Sequence, residues 1–363
     1  MDKLEFPLPG SDARITAFRY GTPGARPKAY LQAGLHADEF PGMLALHLLR
    51  GMLERAGDRI TGEIVILPQA NPLGLEQHPN GFLYGRHDSA SGQNFNRGYP
   101  DLAPALADLP LGPDAAQNVA MVRDAMGAAL AAMQPETALD AMRHRLMVLA
   151  HDADLVLDLH ADNQALPHMY TGTPLWPDAQ DIAAEIDARA VLLAEVSGGN
   201  PFDEALSGPW WALARARPEA AVPSACLAAT LELGSNDDVD LRLAEDQAAA
   251  LYRILERRGM IEGNPGRLPG ALCEATPLTA MAQVKAPAGG LIAYHRQLGD
   301  TLRAGEVVAT IIDPLGTSVE VTAETDGILF ARHSQPYAWP GKVIGKIAGA
   351  SDLAHRRGLL LTD

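Results

Sequence analysis

Short uninterrupted apolar runs alternate with helix-length periodic segments through about residue 260. AYLQAGL (29–35) and EIVILPQ (63–69) predict buried strands bounded by Gly and Pro. Between them, PGMLALHLLRGMLERAG spaces Leu44, Leu48, Leu49 and Met52 at helical intervals. Pro41 suits the first turn of that helix and Gly57 its stop. ADLVLDLH (153–160) and ACLAATLEL (225–233) repeat the strand pattern. Further helices are predicted at about 114–133, 136–150, 178–194 and 238–258, the last ending at Gly259. Strands apolar on both faces, alternating with helices, indicate an α/β sheet covered on both sides. In such sheets ligands collect outside the C-terminal strand ends.

The pattern changes after residue 260. A Gly- and Pro-rich stretch, 261–272, reads as a linker between a catalytic-sized domain (1–260) and a small domain (273–363). The latter holds LIAYH, EVVATII, SVEVTA, GILFARH and KVIGKIA, short strand-like runs separated by Gly, Asp and Pro turns. That is an all-β signature.

Composition narrows the function. The 363 residues carry 29 Lys+Arg against 45 Asp+Glu, a formal charge of −16. Such a surface repels phosphate backbones and anionic lipid, so neither nucleic acid nor membrane is expected as a partner. No apolar segment near the N-terminus resembles a secretory signal, and no run reaches membrane-spanning length, so a cytoplasmic protein is expected. Cys226 and Cys273 lie far apart and read as small buried hydrophobes before they read as reactive thiols.

Candidate chemistry sits at the ends of the apolar runs. The first strand leads into Gly34-Leu35-His36-Ala37-Asp38-Glu39, where an imidazole and a carboxylate three residues apart can reach one cation. Asp158-Leu159-His160 ends another run, and its alternation puts Asp158 and His160 on one side of the strand. Two histidines and a glutamate are a common catalytic zinc set with a fourth position open. Asp158 is either a further ligand or a hydrogen-bond acceptor that fixes a ligand histidine's tautomer. HxxE and DxH each arise often by chance; their joint placement at strand ends is what raises the metal reading. Glu232 interrupts an otherwise apolar strand, where a charge is costly unless paired or functional. It is either a salt-bridge partner at the sheet end or a general base with a raised pKa. Arg86, Asn94, Asn96 and Arg97 lie in a polar, glycine-rich loop after the second strand. That loop is either merely solvated or an anion-binding element, since Arg matches a carboxylate bidentately. HExxH, CxxC, GxGxxG, GxSxG and P-loop patterns are absent.

Taken in order, GLHADE (34–39), FNRGYP around Asn96-Arg97, DLH (158–160) and TLELG (230–234) resemble the zinc carboxypeptidase superfamily. Within it they resemble the succinylglutamate desuccinylase/aspartoacylase branch. The resemblance implies a mixed, mostly parallel sheet and one zinc per chain on His36, Glu39 and His160. It further implies Glu232 as catalytic glutamate, Asn96 and Arg97 gripping a substrate carboxylate, and Arg86 polarising the scissile carbonyl. Arg215 and Arg217 are candidates for a second substrate arginine, Tyr294 and Tyr337 for a mobile tyrosine. The small domain resembles a biotinyl/lipoyl-type barrel sandwich, but its hairpin DPLGTS holds no lysine. A carrier role therefore fails, and a cap over the site is expected. The implied activity is removal of an acyl group from a small N-acyl amino acid or related compound. A carboxypeptidase acting on short peptides and a non-catalytic zinc-site binding protein are the alternatives. Homo-oligomer formation is left open.

Overall fold

Lys28–Ala33 and Glu63–Leu67 are buried at every position, as strands covered on both faces must be. In the computed structural model, which describes residues 1–358, 360 and 361, they lie inside a nine-stranded sheet. In chain order the strands are β1 (Asp2–Pro7), β2 (Arg14–Gly21), β3 (Lys28–Ala33), β4 (Glu63–Leu67) and β5 (Leu155–Asp162). There follow β6 (Gln164–Ala165), β7 (His168–Thr171), β8 (Val191–Leu193), β9 (Leu227–Ser235) and β10 (Ala275–Pro277). The sheet order is β1-β2-β4-β3-β5-β9-β7-β8-β10, with β6 outside it. The pairs around β3, β4, β5 and β9 are parallel, as are β7-β8 and β8-β10; β1-β2, β2-β4 and β7-β9 are antiparallel.

Helices cover both faces. α1 (Pro41–Ala56), α5 (Gln180–Glu185) and α7 (Leu241–Arg257) pack on one apolar cluster that includes Leu31, Ile64 and Leu157. α3 (Ala115–Ala132), α4 (Ala138–Ala150) and α6 (Phe202–Ala216) pack on another with Tyr30, Val65 and Val156. A single turn, α2 (Pro72–Leu75), follows β4. Asp114 and Asp240 cap α3 and α7 by accepting from backbone N–H groups of their first turns, as helix-starting side chains do.

Two expectations change. The helix foreseen over 178–194 stops at Glu185, because Asp187 takes a left-handed backbone (φ 53°) and Val191–Leu193 pairs beside β7 instead. The small domain begins later than residue 273, since Ala275–Pro277 pairs in parallel with β8 and belongs to the large sheet.

The remaining strands are β11 (Met281–Lys285), β12 (Gly290–Tyr294), β13 (Thr301–Leu302), β14 (Val307–Ile312), β15 (Ser318–Thr322), β16 (Gly327–Arg332), β17 (Tyr337–Ala338) and β18 (Val343–Ala348). They form two antiparallel sheets, β11-β18-β16-β13 and β15-β14-β12-β17, around one apolar core. Strand β6 pairs with β16. Arg332 Nε donates to Gln164 Oε1 at 2.8 Å, and Leu166 N to Phe330 O at 2.9 Å. A short excursion between β5 and β7 thus docks the small domain beside the C-terminal ends of the large sheet.

Helix α1 begins tightly on that sheet. A Cβ at Gly42 would meet Leu159 Cβ at 2.9 Å and Ala33 Cβ at 3.0 Å. Gly42→Val should therefore lower unfolding stability by about 1–3 kcal/mol through overpacking, measured by urea denaturation. Because α1 follows directly from the His36–Glu39 turn, the same variant should also bind metal more weakly.

Candidate active site

Three strand ends deliver the polar groups. The turn after β3 carries His36 and Glu39, β5 carries Asp158, His160 and Asp162, and β9 carries Thr230 and Glu232. His160 and Glu232 are register partners across β5-β9. All of these except Asp158 line one cavity of about 870 Å³, its mouth included.

Glu39 is the hub. Its Oε1 lies 2.9 Å from His36 Nδ1, and its Oε2 lies 2.8 Å from His160 Nδ1 and accepts from Ala161 N at 3.1 Å. His36, Glu39 and His160 are buried, and one ligand atom from each lies within 4.8 Å of the others. The opposite ring nitrogens are held from behind. His36 Nε2 donates to Asn94 Oδ1 at 3.0 Å, an oxygen identified as such because it also accepts from Asn96 N at 2.8 Å. His160 Nε2 lies 2.9 Å from Asp158 Oδ2, while Asp158 Oδ1 accepts from Gln32 Nε2 at 2.9 Å and Tyr30 O–H donates to Gln32 Oε1 at 2.7 Å. With each Nε2 hydrogen committed outward, both Nδ1 lone pairs are the ones left for a cation. The donor set, two imidazole nitrogens and a carboxylate, fits zinc with a position open. Asp158 therefore takes the supporting place behind His160.

Burial opposes the charged form of Glu39, but His36 and His160 hold its carboxylate well below the usual range. Burial likewise works against a charged His160, yet Asp158 and Glu39 hold that imidazole well above its usual value. Glu232 moves the other way. Burial, then the negative charge of Glu39, pushes it up to about 8, and its buried Oε2 has no hydrogen-bond partner among the described residues.

Arg86 reaches the centre from the loop after α2. Gly85 lets that loop touch the ligand turn: Gly85 O accepts from Ala37 N at 2.9 Å, and a Cβ at Gly85 would stand 1.9 Å from Asp38 N. Arg86 Nη1 then lies 3.2 Å from Glu39 Oε1, its side chain 45% exposed at the mouth. The separation of Arg86 from Asn96 is absorbed by a hairpin in which His87 pairs with Asn94 and Asp88 closes the turn with Ser91. Asn96 lines the cavity with Nδ2 near His160 and Oδ1 accepting from Phe202 N at 2.9 Å. Arg97 lines it too, with Nη1 donating to Asn96 O at 2.7 Å.

Other side chains face the cavity without having been singled out from sequence. Tyr170 on β7, Asp203 and Glu204 opening α6, and Gln283 and Lys346 from the small domain do so. Burial pushes Asp203 up to about 6 and Glu204 up to about 7. The candidates for a second arginine and a mobile tyrosine lie elsewhere. Arg215 pairs with Glu195, Arg217 with Glu219, Tyr294 O–H donates to Ile344 O inside the small domain, and Tyr337 is exposed there.

The model of the succinylglutamate desuccinylase/aspartoacylase catalytic domain matches residues 25–258, a stretch that spans every strand-end group described above. The chain belongs to that family. A solved succinylglutamate desuccinylase/aspartoacylase family protein of Shewanella amazonensis SB2B shares 26% identity over 96% of this chain and 98% of its own, with a TM-score of 0.84. One from Shewanella frigidimarina NCIMB 400 shares 25% identity, 96% of each chain and a TM-score of 0.83. The ectoine utilization protein EutE (DoeB) of Ruegeria pomeroyi, at 19% identity over 96% of this chain and 94% of its own, shares the fold with a TM-score of 0.65. No curated protein matches. Family membership supports a hydrolase of amide bonds with deacylase chemistry.

The groups behind the histidines carry a direct test. Asn94→Ala and Asp158→Asn should each weaken metal affinity by about 10–100-fold, the usual worth of such supporting contacts. His36→Ala and His160→Ala should abolish stoichiometric binding. Competition with a chromophoric chelator measures all four.

Proposed function

We propose that the protein is a zinc-dependent deacylase that hydrolyses the amide of a small N-acyl amino acid or related compound, holding one zinc per chain on His36, Glu39 and His160. The observation that supports this most is the placement of Glu232: a carboxylate oxygen without a hydrogen-bond partner among the described residues, across from His160 on the strand next to the metal set. Zinc bound there supplies a Lewis acid that polarises the acyl carbonyl and acidifies water.

The chain's own groups do the rest. Glu232 accepts the proton of the attacking water at Oε2 and hands it to the leaving amine. Its raised pKa favours holding that proton between the two transfers, while a nearby cation brings it down enough to accept it. Arg86, at the rim of the centre, offers N–H donors to the oxyanion that develops on the carbonyl carbon's oxygen, a role in which one donor is worth about 3 kcal/mol. Arg97 and Asn96 position the substrate carboxylate; Asn96 O accepts from Arg97 Nη1, and Asn96 Oδ1 accepts from Phe202 N. The small domain, the unit after residue 277, caps the cavity. A capped mouth favours a small N-acyl compound over a peptide.

The substrate is read as a small molecule, with no nucleic-acid or membrane partner and a cytoplasmic location. No helix among the described residues is long and apolar enough to cross a membrane.

Glu232→Gln keeps the side chain's size and removes its basicity. It should retain zinc and substrate binding while kcat falls by roughly 10²–10⁴. Glu39→Gln should lose metal together with activity. A Glu232→Gln enzyme of lower thermal stability but nearly normal kcat would show that Glu232 serves only the sheet end.

A further inference from the structure

The metal set and Glu232 lie toward one end of the cavity. Along the sheet order β5-β9-β7-β8, His160 and Glu232 sit on the first two strands, and the lining continues past Tyr170 on β7 to Leu192 on β8. Neighbouring strands are about 4.8 Å apart, so β8 runs roughly 10 Å beyond the strand of Glu232. Over that distance an apolar wall appears. Leu192, Ala194, Leu278 and Leu361 line the cavity beside Tyr170, and these five pack in one apolar cluster.

Leu361 reaches this wall from beyond the last strand of the small domain. After β18 the backbone is tied to the turn before β11, where Leu353 N donates to Thr279 O at 3.0 Å. By residue 360 it has crossed to the catalytic domain: Leu360 N and Leu361 N both donate to Ser197 O, at 2.8 and 3.2 Å. Arg356, itself buried, donates from Nη2 to Leu360 O at 2.7 Å. Ser197 N in turn donates to Glu204 Oε1 at 2.7 Å, in the first turn of α6. The two leucines then divide. Leu360 fills the interdomain cluster at 7% exposure, whereas Leu361 is half-buried and faces the cavity. Packing alone accounts for Leu360. Leu361 is a wall held in place by backbone bonds, beside space that a ligand can enter. Ligand sites pair a few directed polar groups with apolar lining of this kind, which takes up hydrocarbon in place of water.

We propose that this end of the cavity is a subsite for an apolar substituent of the substrate, and that Leu361 sets the length of substituent it accepts. The substituent is a hydrocarbon chain carried by the acyl group or by the amino-acid side chain, which present the same apolar surface to the wall. The segment after β18 is then part of the active site and gauges the substrate. The assignment rests on the deacylase reading for the word substrate, but its test is one of binding.

The experiment is calorimetric titration of the zinc-loaded full-length protein with two homologous series of hydrolysis products. Straight-chain carboxylates from acetate to octanoate represent the acyl arm, and α-amino acids from alanine to 2-aminooctanoate the amine arm. In at least one series affinity should rise about fourfold per methylene, the worth of burying one CH₂, and stop rising where the chain meets Leu361. The series that responds identifies the arm. Leu361→Ala should move the break to a longer chain and Leu361→Trp to a shorter one, with zinc content and the affinity of the shortest member unchanged. If the Trp variant does not fold, the comparison of wild type with Leu361→Ala decides. Affinity independent of chain length in both series overturns the proposal, as does a break that stays at one length whatever occupies position 361. A uniform weakening of every member with a lower Tm, the signature of a packing residue alone, also overturns it. If the break follows residue 361 but no N-acyl compound is hydrolysed, the deacylase reading fails and the apolar subsite stands.

Discussion

A buried carboxylate held between two imidazoles governs this site. Glu39 sits 3% exposed, as do or nearly do His36 and His160. An isolated carboxylate in such surroundings costs several kcal/mol. The fold avoids that cost by bringing three chain segments to one point: the turn after β3, the end of β5 and the Arg86 loop. Ala161 N donates to Glu39 Oε2, Arg86 lies on Oε1, and the Nδ1 atoms of His36 and His160 face the carboxylate. The same convergence makes a cation site, since a divalent ion would balance the carboxylate's charge and take the Nδ1 lone pairs. The shell behind it, Asn94 on His36 and the Tyr30–Gln32–Asp158 series on His160, fixes which nitrogen faces inward.

From that centre the rest of the architecture follows. A mostly parallel sheet aligns β3, β5 and β9 so that their C-terminal ends meet on one edge, and His160 and Glu232 become neighbours through strand register alone. The loop after α2 is drawn down by the close approach of Gly85 to the ligand turn. The small domain docks on β6, immediately after the β5 residues that bind the centre. Its position is thereby tied to the chemistry.

The sequence made the central strands and their termini legible because burial on both faces leaves continuous apolar runs. Within those runs Glu232 stands out as a polar interruption, and Gln32 carries the same signal in AYLQAGL. His36, Glu39 and His160 were legible from their spacing at strand ends. Helix α6 was not: Pro201 precedes it and Pro209 lies inside it, both marks of a break. The segment 178–194 lacks Gly and Pro, so nothing in the pattern announced the left-handed turn at Asp187. Lys346 was invisible for a different reason. In KVIGKIA it reads as the solvated face of a strand, and its partner Asp162 lies 184 positions away. Contacts of that kind are made by tertiary docking, which periodicity does not encode.

The measurement that bears most directly on the central claim is release of free amine from a panel of N-acyl amino acids and short peptides, run in parallel on zinc-loaded and chelator-stripped protein. The account predicts turnover of N-acyl amino acids by the zinc-loaded protein, little or none of peptides, and loss of turnover on stripping that zinc restores. Undiminished turnover by the stripped protein, or no hydrolysis of any N-acyl compound by a fully zinc-loaded one, would contradict it.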